Sequence, residues 1–178
     1  MPARVVGMIG VSPPTKDASL LIIEGSLSPE HIVRHARAHE AAGFDMVLVG
    51  YTSSSAEGFL VALHAASHTD AIKLLVAHRP GFVAPTLMAR KIATFDQLTR
   101  GRLAIHIITG KSDAEQEGDG DFTPKTERYE RASEYLAIMR KAWAKIWPDF
   151  DPRTGNYLSY GLLALCVIPL AVWAGHRL

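Results

Sequence analysis

Two styles of hydrophobic patterning alternate along this chain. Short apolar runs bounded by turn residues fall at 5–9, 44–49, 72–77 and 103–108. Nearly unbroken apolar character over so few residues is that of a strand hidden on both faces. Between the runs, apolar residues return every three or four positions, as on a helix with one buried side. Ser28 offers a side-chain oxygen to the free amides of a first helix, with Pro29 preset at its first position. Ile32, Val33 and Ala36 share a face of that helix and Gly43 closes it. Ser54 and Glu57 have the reciprocal spacing of a capping box, which predicts a second helix running to about Ser67. Met88, Ile92 and Phe95 mark a third, stopped by Gly101. Tyr129, Ala132, Leu136, Met139 and Trp143 predict the buried stripe of a fourth, starting near Thr126.

Four strand–helix units of roughly 25–35 residues each imply a parallel sheet with right-handed crossovers. Two architectures satisfy this: an open doubly wound sheet, or half of an eight-fold barrel. No GxGxxG or GxxxxGK[ST] follows the first strand, which removes support for the common nucleotide-binding open sheets. The expected class is therefore α/β, the N-terminal half of a (β/α)8 TIM barrel followed by an apolar C-terminal helix. A closed barrel typically takes ~250 residues, and this chain has 178. The organisation expected is a barrel-type domain over 1–147 and a tail over 148–178.

Charge narrows the partners. Nineteen basic and eighteen acidic side chains leave a net charge of +1, with no like-charge block suited to a nucleic-acid groove or a polybasic membrane arm. Nucleic-acid binding is disfavoured. The single cysteine, Cys166, excludes an internal disulfide and leaves the redox compartment open. The first residues lack the long apolar core and cleavage site of a secretion signal, so residues 1–150 are expected to be cytoplasmic.

Candidate chemistry gathers in RLAIHIITGKSDAEQEGDGDFTPKTERY, residues 102–129. In α/β proteins ligands are handled where loops leave the carboxyl ends of buried strands. That singles out His106, Thr109 and the start of the following helix. Whether His106 faces the barrel axis or the helices turns on a one-residue register. Arg79, directly after the third strand, could meet an anionic substrate or phosphate, whereas Arg90 in mid-helix suits a snorkelling or structural role. The acidic run Asp113, Glu115, Glu117, Asp119, Asp121 fails the calcium-loop pattern, with Phe122 where glycine is needed and Arg128 where glutamate is needed. A solvated, mobile lid is expected instead. No HExxH is present. His35 and His39, spaced i, i+4, are expected at the surface of an outer helix rather than on a metal.

The segments GFDMVLVGYTSSSAEGF, LLVAHRPGFVAPTLMARKIATFDQLTRGR, HIITGKSDAEQEGDGDF and ERYERASEYL resemble the luciferase-like flavin monooxygenases, specifically the alkanesulfonate branch. The resemblance runs from about Val5 to Trp143. It implies a (β/α)8 barrel that binds reduced FMN supplied by a separate flavin reductase, acts on a small-molecule substrate with O2, and is usually a homo-oligomer. In the sulfonate branch the inserted oxygen cleaves a carbon–sulfur bond, releasing sulfite and an aldehyde. On matching positions the resemblance implies that Ala77, His78, Thr109 and Tyr129 contact the flavin, while His106 is read from its strand position as either a flavin neighbour or a satisfied structural histidine. Lys125 holds a position often occupied by histidine in relatives and could reach the FMN phosphate. Ser55 and Arg79 would lie near the substrate, Ser55 standing where sulfonate enzymes often place a cysteine.

Beyond Trp143 the resemblance stops at KIWPDFDPRTGNYLSYGLLALCVIPLAVWAGHRL, in which 158–175 carries no charge. That approaches the ~17–25 residues that cross a bilayer. Three readings compete: a membrane-lodged tail, out-of-frame translation of a disrupted gene, or a segment folded back over the exposed sheet edge. The family's phosphate site comes largely from later strands, so this chain alone is expected to bind FMN poorly and turn over little. The alternatives are a non-catalytic flavin-binding fragment and a membrane-tethered remnant.

Overall fold

A computed structural model describes residues 4–13 and 26–146. Strands β1 (Val6–Met8), β2 (Met46–Val49), β3 (Lys73–His78) and β4 (Leu103–Ile107) form one parallel sheet in sequence order. Helices α1 (Pro29–Ala41), α2 (Gly58–Ala66) and α3 (Pro85–Leu98) connect them, and α4 (Asp113–Gly118) and α5 (Lys125–Ile146) follow β4. The four strands stand where the apolar runs predict, with ends shifted by a residue or two, β3 reaching one residue further to His78. The apolar tail at 158–175 lies outside the described residues. Among those described, no helix is long and apolar enough to cross a membrane.

The sheet has two unlike faces, because successive side chains along a strand alternate sides. Val47 and Val49, Leu74 and Val76, Leu103 and Ile105 join the main core with Ile32, Phe59, Met88 and Tyr135 from the helices. The opposite face carries Val6 and Met8, Met46 and Leu48, Leu75 and Ala77, Ala104 and His106, none of which belongs to that core. Its β1 end is open: Val6 is 46% exposed.

Local chemistry explains most boundaries. The Ser28 hydroxyl accepts from the His31 amide at 3.3 Å and starts α1, and Gly43 ends it at φ +78°, a conformation costly for residues with a Cβ. The Glu40 carboxylate then accepts the amides of Asp70, Ala71 and Ile72, fixing where the chain turns into β3.

Three expectations need correction. The Ser54–Glu57 pair does not start the second helix as a capping box. Thr52 and Ser55 close a turn on each other, so the helix starts only at Gly58, capped by the Glu57 carboxylate on the Leu60 amide at 2.7 Å. The acidic stretch after β4 is not a free lid, since 113–118 is helical and held by ion pairs. The buried face of α5 runs through Arg128, Ala132 and Tyr135, while Tyr129 is 52% exposed.

Candidate functional site

Pairing between β3 and β4 settles the register that hydropathy leaves open. Ala77 lies opposite His106, and His78 opposite Ile107. Ala77 and His106 therefore share the face turned away from the helices, while His78 belongs to the other. Its imidazole Nε2 is 3.0 Å from the Tyr135 hydroxyl and its ring packs against Phe59 and Tyr135. Of the two positions expected to line the flavin, Ala77 and His78, the side chains are on opposite sides of the sheet. Burial lowers the pKa of His106, keeping its ring neutral near pH 7. Burial first, and the Lys91 charge second, push His78 down to about 4.

At the carboxyl ends of the strands, α4 is bound down by arginines. Arg79 is only 2% exposed. Its guanidinium pairs with Glu115 and, at 3.4 Å, with Asp119, and lies 4.5 Å over the Tyr51 ring. The Ser53 hydroxyl donates to the Glu115 carbonyl and to Asp119, both at 2.9 Å, which ties the β2–α2 loop to the same helix. Arg79 thus arrives with its charge already answered, and an anion approaching it would compete with two carboxylates. Ser55 sits in that loop, with its hydroxyl accepting from the Thr52 amide and donating to the Thr52 carbonyl. Tyr51, beside them, is pushed up by burial and then by Asp119.

Arg128, immediately before Tyr129, organises the other side of the mouth. Also 2% exposed, it donates to the Thr109 carbonyl at 2.8 Å, to the Thr123 carbonyl at 2.7 Å and to Asp113 at 2.8 Å. One side chain thereby joins the end of β4, the start of α4 and the approach to α5. Arg131 binds Asp121 in two-pronged fashion, and that hydrogen bonding holds Asp121 well below the usual carboxylate range. Gly110, at φ +88°, has no room for a side chain: a Cβ would stand 2.5 Å from Cδ of Gln116, which is itself fully buried.

Thr109 is half-buried where β4 ends, while Lys125 and Tyr129 are exposed on the first turns of α5. Among the described residues no carboxylate pairs with Lys111 or Lys125, unlike the three arginines of the mouth. No group of three potential metal ligands occurs among the described residues. The sequence reading missed Arg128 and Gln116. The ERY triplet flagged the neighbourhood of the first, but hydropathy assigns arginine to the surface, and nothing flagged the second. Arg128→Met is expected to cost about 2 kcal/mol, because the Thr109 and Thr123 carbonyls lose their donor. Urea denaturation would measure it, and an unchanged midpoint would show that the mouth loops hold without Arg128.

Comparison with solved structures supports the same architecture. The fold is similar to EDTA monooxygenase (EmoA) from Chelativorans sp. BNC1, with TM-score 0.63 and 19% identity over 78% of this chain and 36% of that one. It is similar to the oxygenating constituent of 3,6-diketocamphane monooxygenase from the CAM plasmid of Pseudomonas putida in complex with FMN, with TM-score 0.60 and 20% identity over 79% of this chain and 40% of that one. Long-chain alkane monooxygenase (LadA) gives TM-score 0.62 and 17% identity over 78% of this chain and 39% of that one. The chain thus spans about two fifths or less of the length of these structures, and its parallel α/β sheet matches part of their barrel. The luciferase-like monooxygenase family matches residues 8–162, past Trp143, where the resemblance read from the sequence stops. With most of its length inside that match, the chain belongs to the luciferase-like monooxygenase family.

Proposed function

We propose that this chain supplies part of the flavin-facing mouth of a monooxygenase that uses reduced FMN and O2 to oxidise a small organic substrate. The observation that carries the reading is the Ala77–His106 pair on the sheet face turned away from the helices, with Thr109 just beyond the end of β4. These residues suit a flat ring: Ala77 and Ala104 put only methyl groups on that face, and His106 adds a neutral hydrogen-bonding ring. Bound there, the flavin would supply the electrons that activate O2. This chain's own contribution is to hold and orient it. Ala77 gives flat contact, while His106 and Thr109 offer polar groups. Lys125 and Lys111 are the cations of the mouth left for a phosphate. Tyr129, exposed on α5, and Ser55, beyond β2, would border the substrate. His78 acts from behind the sheet as packing, and Arg79 as the anchor of α4.

The finer reading is an organosulfonate substrate, oxidised with release of sulfite, with reduced FMN delivered by a separate reductase. It rests on the quoted segments. A second reading, a flavin-binding piece without turnover of its own, is favoured by the exposure of Val6 and Met8 on the ligand-facing side. Anaerobic titration with reduced FMN tests the common element. Weak but saturable binding is expected, weakened about tenfold further in His106→Ala for the loss of one hydrogen bond. An absence of saturation, or an unaltered affinity in the variant, would overturn the site. Sulfite release in air from added alkanesulfonate then separates the two readings.

A further inference from the structure

We propose that the amino-terminal strand is fastened by a histidine latch, His35 and His39 on α1, which lets go of β1 when the solution is acidified. β1 has three residues and, among the described residues, lies at the end of the sheet and pairs with β2 alone. Just past its carboxyl end, the Gly10 amide donates to Nδ1 of His35 at 2.9 Å. A ring nitrogen that accepts cannot carry a proton, so His35 is neutral here with its hydrogen on Nε2. In the middle of the strand, Gly7 lies so close to the His39 ring that any side chain there would collide with Cδ2 and Nε2. His39 is steered by its Nδ1, which donates to the His35 carbonyl at 2.8 Å, and by an edge-on contact with Phe44 at 4.8 Å. The expectation that these two histidines are plain surface residues is thereby replaced. They are the seat on which β1 rests.

Protonating Nδ1 of His35 turns its attraction for the Gly10 amide into a contact between two donors. It also places a charge between His31, at 5.3 Å between ring centres, and His39, at 4.6 Å. Among the described residues the surroundings offer little compensation. Arg34 stands beside His31 and is itself positive. Residues 5–13 bring no titratable side chain. From α2, His64 bonds the Pro29 carbonyl and the His68 carbonyl receives Arg37. Asp45, before β2, is engaged with the Val5 amide at 2.7 Å, and Glu40 with the amides preceding β3. Burial, then His39, then His31 hold the His35 pKa below its ordinary 6.5. A depressed folded pKa means that the latch contributes fully above 6.5 and is lost as pH falls through the folded value. Val6 and Met8 belong to the open face, so the latch makes one border of that face responsive to pH. This holds whether or not the face meets a flavin.

Amide hydrogen exchange of the segment 5–12, corrected for intrinsic rates, tests the latch. Between about pH 7.5 and about pH 5.5, protection there should fall severalfold, and by at most about tenfold, in the parent chain. His35→Asn, whose side-chain oxygen can accept from the Gly10 amide without titrating, should remove the pH dependence. A flat profile in the parent chain, or an equal fall in the variant, overturns the proposal. Should the variant not fold, nitrogen shifts of the parent's histidines decide instead. A His35 ring carrying its proton on Nδ1 near pH 7.5 overturns the latch. The other tautomer, titrating together with the Gly10 amide, supports it.

Discussion

The double variant E115Q/D119N should be less stable than the parent chain by about 3–5 kcal/mol, because it strands a buried guanidinium. Arg79 is almost wholly enclosed and has two acidic partners, Glu115 and Asp119. Its Nε has no hydrogen-bond partner among the described residues, so the two carboxylates carry nearly all the compensation for burying the charge. Tyr51, lying 4.5 Å from the guanidinium, offers a cation–π attraction of about 1–2 kcal/mol. That is too little to hold a desolvated cation. Each single variant should lose less, since the remaining acid still pairs. Adding Arg79→Met to the double variant should recover much of the loss, because an apolar side chain has no charge to desolvate. Urea unfolding of the four proteins measures this. A double variant within about 1 kcal/mol of the parent would mean that Arg79 reaches water in solution, which would restore it as a candidate for binding an anion.

The second large effect is an acid one. His78 is buried, with its pKa pushed down to about 4 from an ordinary 6.5. The sign follows from linkage: the unfolded chain takes up the proton first, so the neutral ring contributes fully above 6.5 and its contribution disappears as pH falls toward 4. The integrated loss is about 3 kcal/mol. His78→Gln, which can still meet the Tyr135 hydroxyl, should remove the largest part of the fall in stability across that window. It should leave the latch at β1 responding, because His35 is untouched. Urea midpoints at a series of pH values check this. A parent chain of constant stability from pH 6.5 down to 4 would show that the His78 ring is protonated in place.

The legible part of this protein was its alternation of buried runs and amphipathic stretches. Runs such as LLVAH and LAIHI must be strands, because a two-sided apolar segment has nowhere to go but between layers. Ser28 with Pro29, and Gly43, mark their helix ends through local hydrogen bonding and backbone geometry alone. The parallel order of the sheet follows from that alternation, and the family from the segments around Thr109 and Tyr129. Composition determined none of the site's orientation.

What only the tertiary structure decided is which side of each element meets which neighbour. A one-residue register separates His78 from His106, and it is fixed by backbone pairing across β3 and β4. Local pattern cannot set it where both faces are apolar. The acidic stretch 113–121 looks like a solvated lid because hydropathy counts each charge singly. It is clamped because Arg79, Arg128 and Arg131 arrive from distant positions to meet it. Arg128 displaces Tyr129 from the buried face for the same reason: three acceptors, converging from three elements, make burial of a guanidinium tolerable. Sequence determined the elements and their order, since those rest on contacts within a few residues. The placement of charge at the mouth waited on the fold, because it rests on partners brought together from up to 66 residues apart.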